Sequence, residues 1–532
     1  MRNTIFIVLF FLIGINLSAQ KNTSYPYTIT GIVCEAATGK PLAGIHIDIP
    51  GVFADITADD GRFNVKSTSD DVILEVTGNG YARQEIPVRG RRELRILLHE
   101  ASFKGAQTMV LTPKGERSST LLAHSWGLIR EDNELSTAVT PDVLLQGYTS
   151  GVNTLFRSGM PGSGTNMYLH GFNTLNAGTM PLFVIDGMPY ENSDYATSLI
   201  GNYAANPLAS IDIKDIESIT ILKDGTSAYG VKGANGVVLI QTSTLKELKT
   251  TINAHVHMGI NVEPMQLPVL NAGEHKTLLS EVLQQANPSL EPSAIQQLPY
   301  FDNTIPVMQP WGYEGNKDYY RYNHATNWQN EVYNSSFNQN YYLNISGGDE
   351  ISVYTLSMGF LDQSGTLKNT HFQRFNTRLN ARVKLTQKAF FQANMSYVYG
   401  SKSVTHEGAD SHKNPMFAAL LKAPFTTSHF VNEEGETSPN VEGVDVFGNS
   451  NPYVLANDAS LLNINYRFLG SFLLGINVNK HLSLNALFGL NFNKERERTF
   501  YPTVGVAFDP INDVLIYNES QHRVDRLLSL YG

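Results

Sequence analysis

The chain has 532 residues, a formal net charge of −10 at pH 7, 17% charged residues and 10% aromatic residues. That length exceeds one ordinary globular core, although a membrane barrel can absorb many residues as one unit. The acidic balance argues against a nucleic-acid partner, which would want a basic face to displace counterions from phosphates, and the Gly- and aromatic-rich composition suits β-structure rather than disorder.

The first residues read as a signal peptide over 1–19. Arg2 supplies the positive end, Ile5 to Ile15 the apolar run and Leu17-Ser18-Ala19 the cleavage site. No later segment offers about 18 uninterrupted apolar residues, so any membrane crossing requires a closed β-barrel. The single cysteine, Cys34, excludes an internal disulfide and a multi-thiolate metal site, and it reads as a small core residue.

Residues 28–100 alternate apolar and polar positions in short runs such as Ile45 to Ile49 and Val72 to Val76, punctuated by turns at Gly39-Lys40-Pro41 and Asp60-Gly61-Arg62. This pattern predicts a β-sandwich. It resembles the carboxypeptidase-regulatory-like domain, an accessory module without a zinc site; His46 and His99 stand isolated, with no second ligand at metal-binding spacing. Residues 101–118 read as a linker, in which Thr108, Met109, Val110, Leu111 and Thr112 form an extended peptide suited to adding a strand to a partner's sheet edge.

Residues 119–247 alternate short β-runs with Gly- and Asn-rich loops. Gly159-Met160-Pro161-Gly162 leads to Tyr168-Leu169-His170-Gly171 and Asn173 to Gly178. Next come Val184-Ile185-Asp186-Gly187, Lys223-Asp224-Gly225-Thr226 through Tyr229-Gly230, and Ala234-Asn235-Gly236-Val237. Asp186-Gly187 closes a buried strand in a turn, and Asn235-Gly236 reads as a hairpin turn. In this order the run resembles the plug domain of SusC/RagA-like TonB-dependent outer-membrane transporters. The resemblance makes Gly171, Asp186, Gly187, Asp224, Tyr229, Gly230, Asn235 and Gly236 its structural signature, and Thr108 to Thr112 its TonB-contact candidates. The family usually has an Arg in the strand before Gly171, where this chain has Tyr168-Leu169-His170.

From 248 to 532 the strands are amphipathic over about ten residues, the dyad pattern of an outer-membrane barrel with lipid outside and water inside. Ile252, Val256, Met258 and Ile260 share one face; Phe375, Thr377 and Leu379 oppose Arg374, Asn376, Arg378, Asn380 and Arg382. A soluble sandwich would alternate similarly, and the plug-like region favours the membrane. The intervals 263–336 and 400–461 read as extracellular loops or partner-facing excursions. Their aromatic residues, Trp311, Tyr313, Tyr319, Tyr320, Tyr322 and Trp328, suit an interface girdle, loop packing or stacking on sugar rings. Energised transporters close about 22 strands. At about ten residues per strand this stretch forms only part of such a barrel, which predicts a fragment, a split gene product or one part of a two-chain barrel.

The fold expected is therefore mainly β: an N-terminal β-sandwich, an α+β plug and the N-terminal part of a large antiparallel transmembrane barrel. No catalytic residue, cofactor or metal is expected. Gly159 to Gly164 lacks the Gly-Lys-Ser/Thr ending of a phosphate loop, and Asp186, Asp215, Glu217 and Asp224 sit at turns or strand ends, where carboxylates satisfy backbone donors. The resemblance implies TonB-dependent import of an oligosaccharide, or of a peptide, across the Gram-negative outer membrane. Its partners would be TonB with its inner-membrane motor, a SusD-like surface lipoprotein and outer-membrane lipid, with the N-terminal domain periplasmic. The alternative is a non-transporting remnant that only binds at the surface. The sequence does not identify substrate-binding residues.

Overall fold

The computed structural model describes residues 27–531, apart from single positions and short stretches of which 100–108, 131–137, 173–177, 191–197, 243–249 and 510–517 are the longest. The signal-peptide expectation for 1–19, residue Thr108 and most of the Asn173–Gly178 motif fall outside the described residues. Two compact units divide the chain, 1–107 and 108–532.

In the first unit, two small sheets share one core. A three-stranded sheet runs Arg62–Ser67, Tyr27–Glu35, Glu93–Leu98, and a four-stranded sheet runs Val52–Ile56, His46–Ile49, Ile73–Thr77, Gln84–Pro87. Alternation sends Phe63 and Val65 inward while Arg62, Asn64 and Lys66 face water. They meet Ile29, Val33, Ile47, Leu74, Val76 and Ile96 in a single cluster, and Cys34 is a buried free thiol in the three-stranded sheet.

The second unit contains a five-stranded mixed sheet in the order Trp126–Arg130, Ile216–Leu222, Val237–Thr242, Leu182–Ile185, Met188–Tyr190. Leu182–Ile185 lies parallel to Val237–Thr242, while Ile216–Leu222 pairs antiparallel to it. Both faces are covered, which explains why Val184-Ile185 and Val237 to Ile240 read as continuous apolar runs. One face joins Phe183, Ile185, Ile219, Val238 and Ile240 in a large core. The other carries Val184, Leu222, Val237 and Leu239, packed against Leu111, Trp126 and Tyr229.

Against this sheet stands an antiparallel meander of eight strands: Thr251–Asn261, Ser336–Gly348, Ser352–Ser364, His371–Lys384, Ala389–Ser403, Ser460–Asn479, Leu482–Tyr501 and Glu519–Tyr531. Its two ends differ. Short connections after strands Ser336–Gly348, His371–Lys384 and Ser460–Asn479 mark one; the longer connections after Thr251–Asn261, Ala389–Ser403 and Leu482–Tyr501, with the one after Ser352–Ser364, mark the other. Outer-membrane barrels have short periplasmic turns and long extracellular loops, so the long end is the outer one. Apolar residues line the outward face, with Ile252 at 67%, Val256 at 63% and Phe488 at 50% accessible.

The structure corrects three expectations. The barrel's polar face meets the plug rather than water along much of its length: Arg374, Asn376, Arg378 and Asn380 are buried. Within the stretch expected to be linker, Met109–Thr112 and Gly115–Ser118 pair as a hairpin, because Pro113 turns the chain and Val110 finds a buried position. Asn235-Gly236 is a turn between a 3-10 segment, Gly230–Gly233, and strand Val237–Thr242, so it does not join two strands. The outer excursions also contain helices. Ala272–Ala286 starts with a reciprocal capping box, in which Asn271 accepts from the Glu274 amide and Glu274 from the Asn271 amide. Trp328 is buried in loop packing, its Nε1–H donating to the Ala423 carbonyl at 3.0 Å, whereas Trp311 is exposed; the Tyr313 side chain lies outside the described set.

Candidate functional site

The residues that carry chemistry are those where the central sheet meets the wall. Asp186 ends strand Leu182–Ile185 with φ at 48°, a left-handed conformation that Asp tolerates better than most side chains. That turn aims its carboxylate in two directions. One is internal: the Thr242 amide donates to Oδ1 at 2.9 Å and the Thr242 hydroxyl to Oδ2 at 2.8 Å. The other crosses to the wall, where Arg378 reaches Oδ2 at 3.2 Å.

Arg378 also lies 3.6 Å from Asp215 Oδ2, so one wall guanidinium serves two plug carboxylates. Asp215 closes a 3-10 turn, Ile213–Asp215, capped by Asp212. It accepts from the Tyr342 hydroxyl at 2.9 Å and from the Ser357 hydroxyl, both on wall strands. Burial pushes the Asp215 carboxyl up, and the Arg378 guanidinium opposes that shift. Arg374, nearer the outer end of the same strand, is 1% exposed. It pairs with Asp212 at 2.6 Å and donates to the carbonyls of Val139, Ala209 and Ile211 at 3.3, 3.0 and 3.2 Å. A guanidinium that deep is tolerated because Nη2 meets the carboxylate and Nη1 the three carbonyls, while Nε has no hydrogen-bond partner among the described residues.

Further contacts complete the seat. Lys402 donates to the Gly162 carbonyl at 2.8 Å, and Asn380 donates to the Thr242 hydroxyl at 2.8 Å. Gly162 needs its left-handed φ of 71°, and a Cβ there would stand 2.8 Å from the Phe372 ring, so the Gly-rich loop serves close approach to the wall rather than phosphate binding. On other strands, Glu497 accepts from the Ser198 hydroxyl and the Leu199 amide, the Arg467 guanidinium lies 3.8 Å over the Tyr190 ring, and Leu469 enters the plug core.

Of the signature residues, Asp186 bonds to the wall through its side chain, and Gly187 stands beside Leu487 of the wall. Asp224 caps Thr226, its Oδ1 accepting from the amide at 3.2 Å and from the hydroxyl at 2.8 Å. Asn235 donates to the Gly178 carbonyl at 2.7 Å, and Tyr229 packs on the second face of the sheet. Gly171, Gly230 and Gly236 take positive φ, and a Cβ at Gly236 would collide with Leu169. Of the TonB-contact candidates, Met109, Val110, Leu111 and Thr112 form the first strand of the hairpin; Val110 and Thr112 are buried, and Leu111 packs against the plug sheet.

The sequence reading missed Arg374, Arg378, Tyr342 and Asp212 as members of one site. A signal was present in the cations recurring at even positions of His371–Lys384, a face that a barrel turns inward. The site presents ion pairs and hydrogen bonds. Among the described residues no group of three or more His, Cys, Asp or Glu is arranged to hold a metal.

Residues 128–237 match the TonB-dependent Receptor Plug Domain family. The TonB-dependent receptor SusC of Bacteroides thetaiotaomicron is 26% identical over 415 residues, covering 76% of this chain and 37% of that protein. The TonB-dependent receptor P26 of Formosa agariphila is 26% identical over 490 residues, covering 89% of this chain and 43% of that protein. The chain thus spans about two fifths of the length of these curated relatives. Among solved structures, the RagAB peptide importer in its "closed-closed" state aligns with a TM-score of 0.57 at 21% identity, over 77% of this chain and 44% of the other. Its "open-open" state aligns at 0.58 and 19%, over 80% and 46%. These two show the fold, a plug with the N-terminal part of a barrel. With its plug seated on an amphipathic wall, the chain carries a TonB-dependent receptor plug domain over residues 128–237 and is similar to the SusC/RagA-type TonB-dependent receptors.

Proposed function

We propose that this plug and wall serve TonB-dependent import of a nutrient across the outer membrane, with an oligosaccharide as the first candidate and a peptide as the second. The observation that carries the reading is the buried charge network between Arg374, Arg378 and the plug carboxylates Asp186, Asp212 and Asp215. Such a network holds a plug in one discrete position, from which it can be displaced as a unit. The relatives named SusC and RagAB support the nutrient class, and a SusD-like surface lipoprotein is the proposed companion.

TonB is the proposed source of energy, reached through Met109–Thr112. In the state described, that segment pairs with Gly115–Ser118 and buries Val110, which withholds one of its edges from a strand-adding partner. Substrate must favour the state that releases it, since coupling requires a difference in binding free energy between two states. The test is deletion of residues 108–112 at the native locus, followed by uptake of a labelled oligosaccharide mixture and of a labelled peptide mixture. Loss of uptake with unchanged surface binding is expected, the lost mixture naming the class. Undiminished uptake of both contradicts the proposal.

A further inference from the structure

Even-numbered residues of wall strand His371–Lys384 form a column on the plug side: Phe372, Arg374, Asn376, Arg378 and Asn380 are all buried. At ~3.4 Å per residue, the path along the strand from Thr370 to Arg382 is about 40 Å. A cavity of about 390 Å³ lies at the outer end, lined by Thr370, Thr405 and Glu407 on the wall side and by Arg157, Ser158 and Met160 of the plug. A second, of about 230 Å³, lies at the inner end between plug residue Gln241 and wall residues Asn380, Arg382, Gln392 and Asn394.

Between these cavities, two side chains cross from wall to plug: Arg374 to Asp212, and Arg378 to Asp186 and Asp215. Between the two arginines sits Asn376, 2% exposed, whose amide oxygen and nitrogen both lack a hydrogen-bond partner among the described residues. A buried polar group left in that condition is costly, and one retained there calls for an explanation beyond packing. The sixth and seventh wall strands differ. Leu469 enters the plug core, and Met188 lies so close to Gly489 that a Cβ on the glycine would collide with it.

We infer that this column is the passage for the imported molecule, closed in the described state by Arg374 and Arg378 as two crossbars. The inference rests on the import reading. Displacing the Asp186–Asp215 side of the plug joins the outer cavity to the inner one. It also frees two guanidiniums and the amides of Asn376, Asn380 and Asn394 as hydrogen-bond donors along the route. The passenger they suit is a narrow chain rich in hydrogen-bond acceptors.

The test uses the gene at its native locus with Cys34→Ser, adding Asn376→Cys in one strain and Asn491→Cys in another. Asn491 is also buried, on the seventh wall strand, where its Oδ1 accepts from Arg467 Nε at 3.5 Å. Intact cells are treated with a membrane-impermeant methanethiosulfonate reagent, energised or exposed to a protonophore. The expected result is labelling at 376 that is at least about tenfold faster in energised cells, with 491 inert in both. Labelling at 376 that is absent or independent of energy, or labelling at 491 equal to that at 376, overturns the inference. Should Asn376→Cys fail to reach the outer membrane, Asn394→Cys at the inner cavity reads the same route with the same two outcomes. Failure of the import reading shows separately, as nutrient uptake unchanged by deletion of the gene.

Discussion

Strand Arg62–Ser67 of the sandwich and strand His371–Lys384 of the wall carry the same two-residue alternation, yet they are turned inside out with respect to each other. In the first, Phe63 and Val65 are buried and Arg62 faces water. In the second, Phe375 is 43% exposed on the outward face while Arg374 and Arg378 are buried. Period two says that a strand has two unlike faces, and nothing about which one is inside. The surroundings decide. Water outside drives the apolar face in, whereas lipid outside accepts it and leaves the polar face to find partners within.

Arg374→Ala leaves Asp212 buried without its cation and strands three carbonyls, so plug seating should weaken by about 3–5 kcal/mol. Phe63→Ala should destabilise the sandwich by a similar ~3–5 kcal/mol, through a cavity rather than a charge. Pulse proteolysis over a urea series, reading plug and sandwich fragments separately, checks both; each substitution should move only its own region. Equal effects on both regions would contradict the assignment of the two interiors.

A smaller effect sharpens the outward face. Leu379→Lys, near the middle of the same strand, should cost about 2–4 kcal/mol in a bilayer. Folding into lipid vesicles and into a short-chain detergent should differ for this variant and agree for the unsubstituted chain. If the variant loses nothing in lipid, that face does not meet hydrocarbon.

The smallest effect concerns the outer excursions. The His406 imidazole is pushed down to about 4, by burial first and by Lys413 second, with Asp410 and Glu519 opposing. Its Nε2 accepts from the Gly201 amide at 3.1 Å, which only the neutral ring can do. The folded pKa lies below the ordinary 6.5, so the stabilising contribution is complete above about pH 6.5 and is lost as pH falls toward about 4. Hydrogen exchange at the Gly201 amide should therefore accelerate over that window, and His406→Phe should remove the pH dependence. Acceleration that persists in the variant would place its cause elsewhere.

Much of the architecture was legible because short-range pattern carries it. Alternation located the strands of sandwich and wall, and linked Gly, Asn and Asp motifs located the plug. The site was harder, because its bonds join residues far apart in the chain. Asp186 showed its turn role in the sequence, and that role is real, but its bond to Arg378 spans 192 positions. The arginines on one strand face were visible as a row, while of their partners Asp215 read as an ordinary turn carboxylate and Asp212 carried no signal of its own. The 109–118 hairpin was hidden for the opposite reason: its strands have four residues each, too few for a period to declare itself. The helix Ala272–Ala286 did carry its own signal, the Asn271–Glu274 capping pair, within a stretch that Pro and aromatic content made look irregular.

Buried ion pairs seat the plug on the wall, and hydrogen–deuterium exchange in outer membranes reads that seating at the level of individual segments. Unsubstituted protein and Arg378→Ala would be compared over residues 182–242 and over residues 27–98. Faster exchange in 182–242 with 27–98 unchanged is the predicted result, since Asp186 and Asp215 lose their shared cation. Unchanged exchange in 182–242 would contradict the claim, leaving the apolar contacts around Leu469 and Met188 as what holds the plug in place.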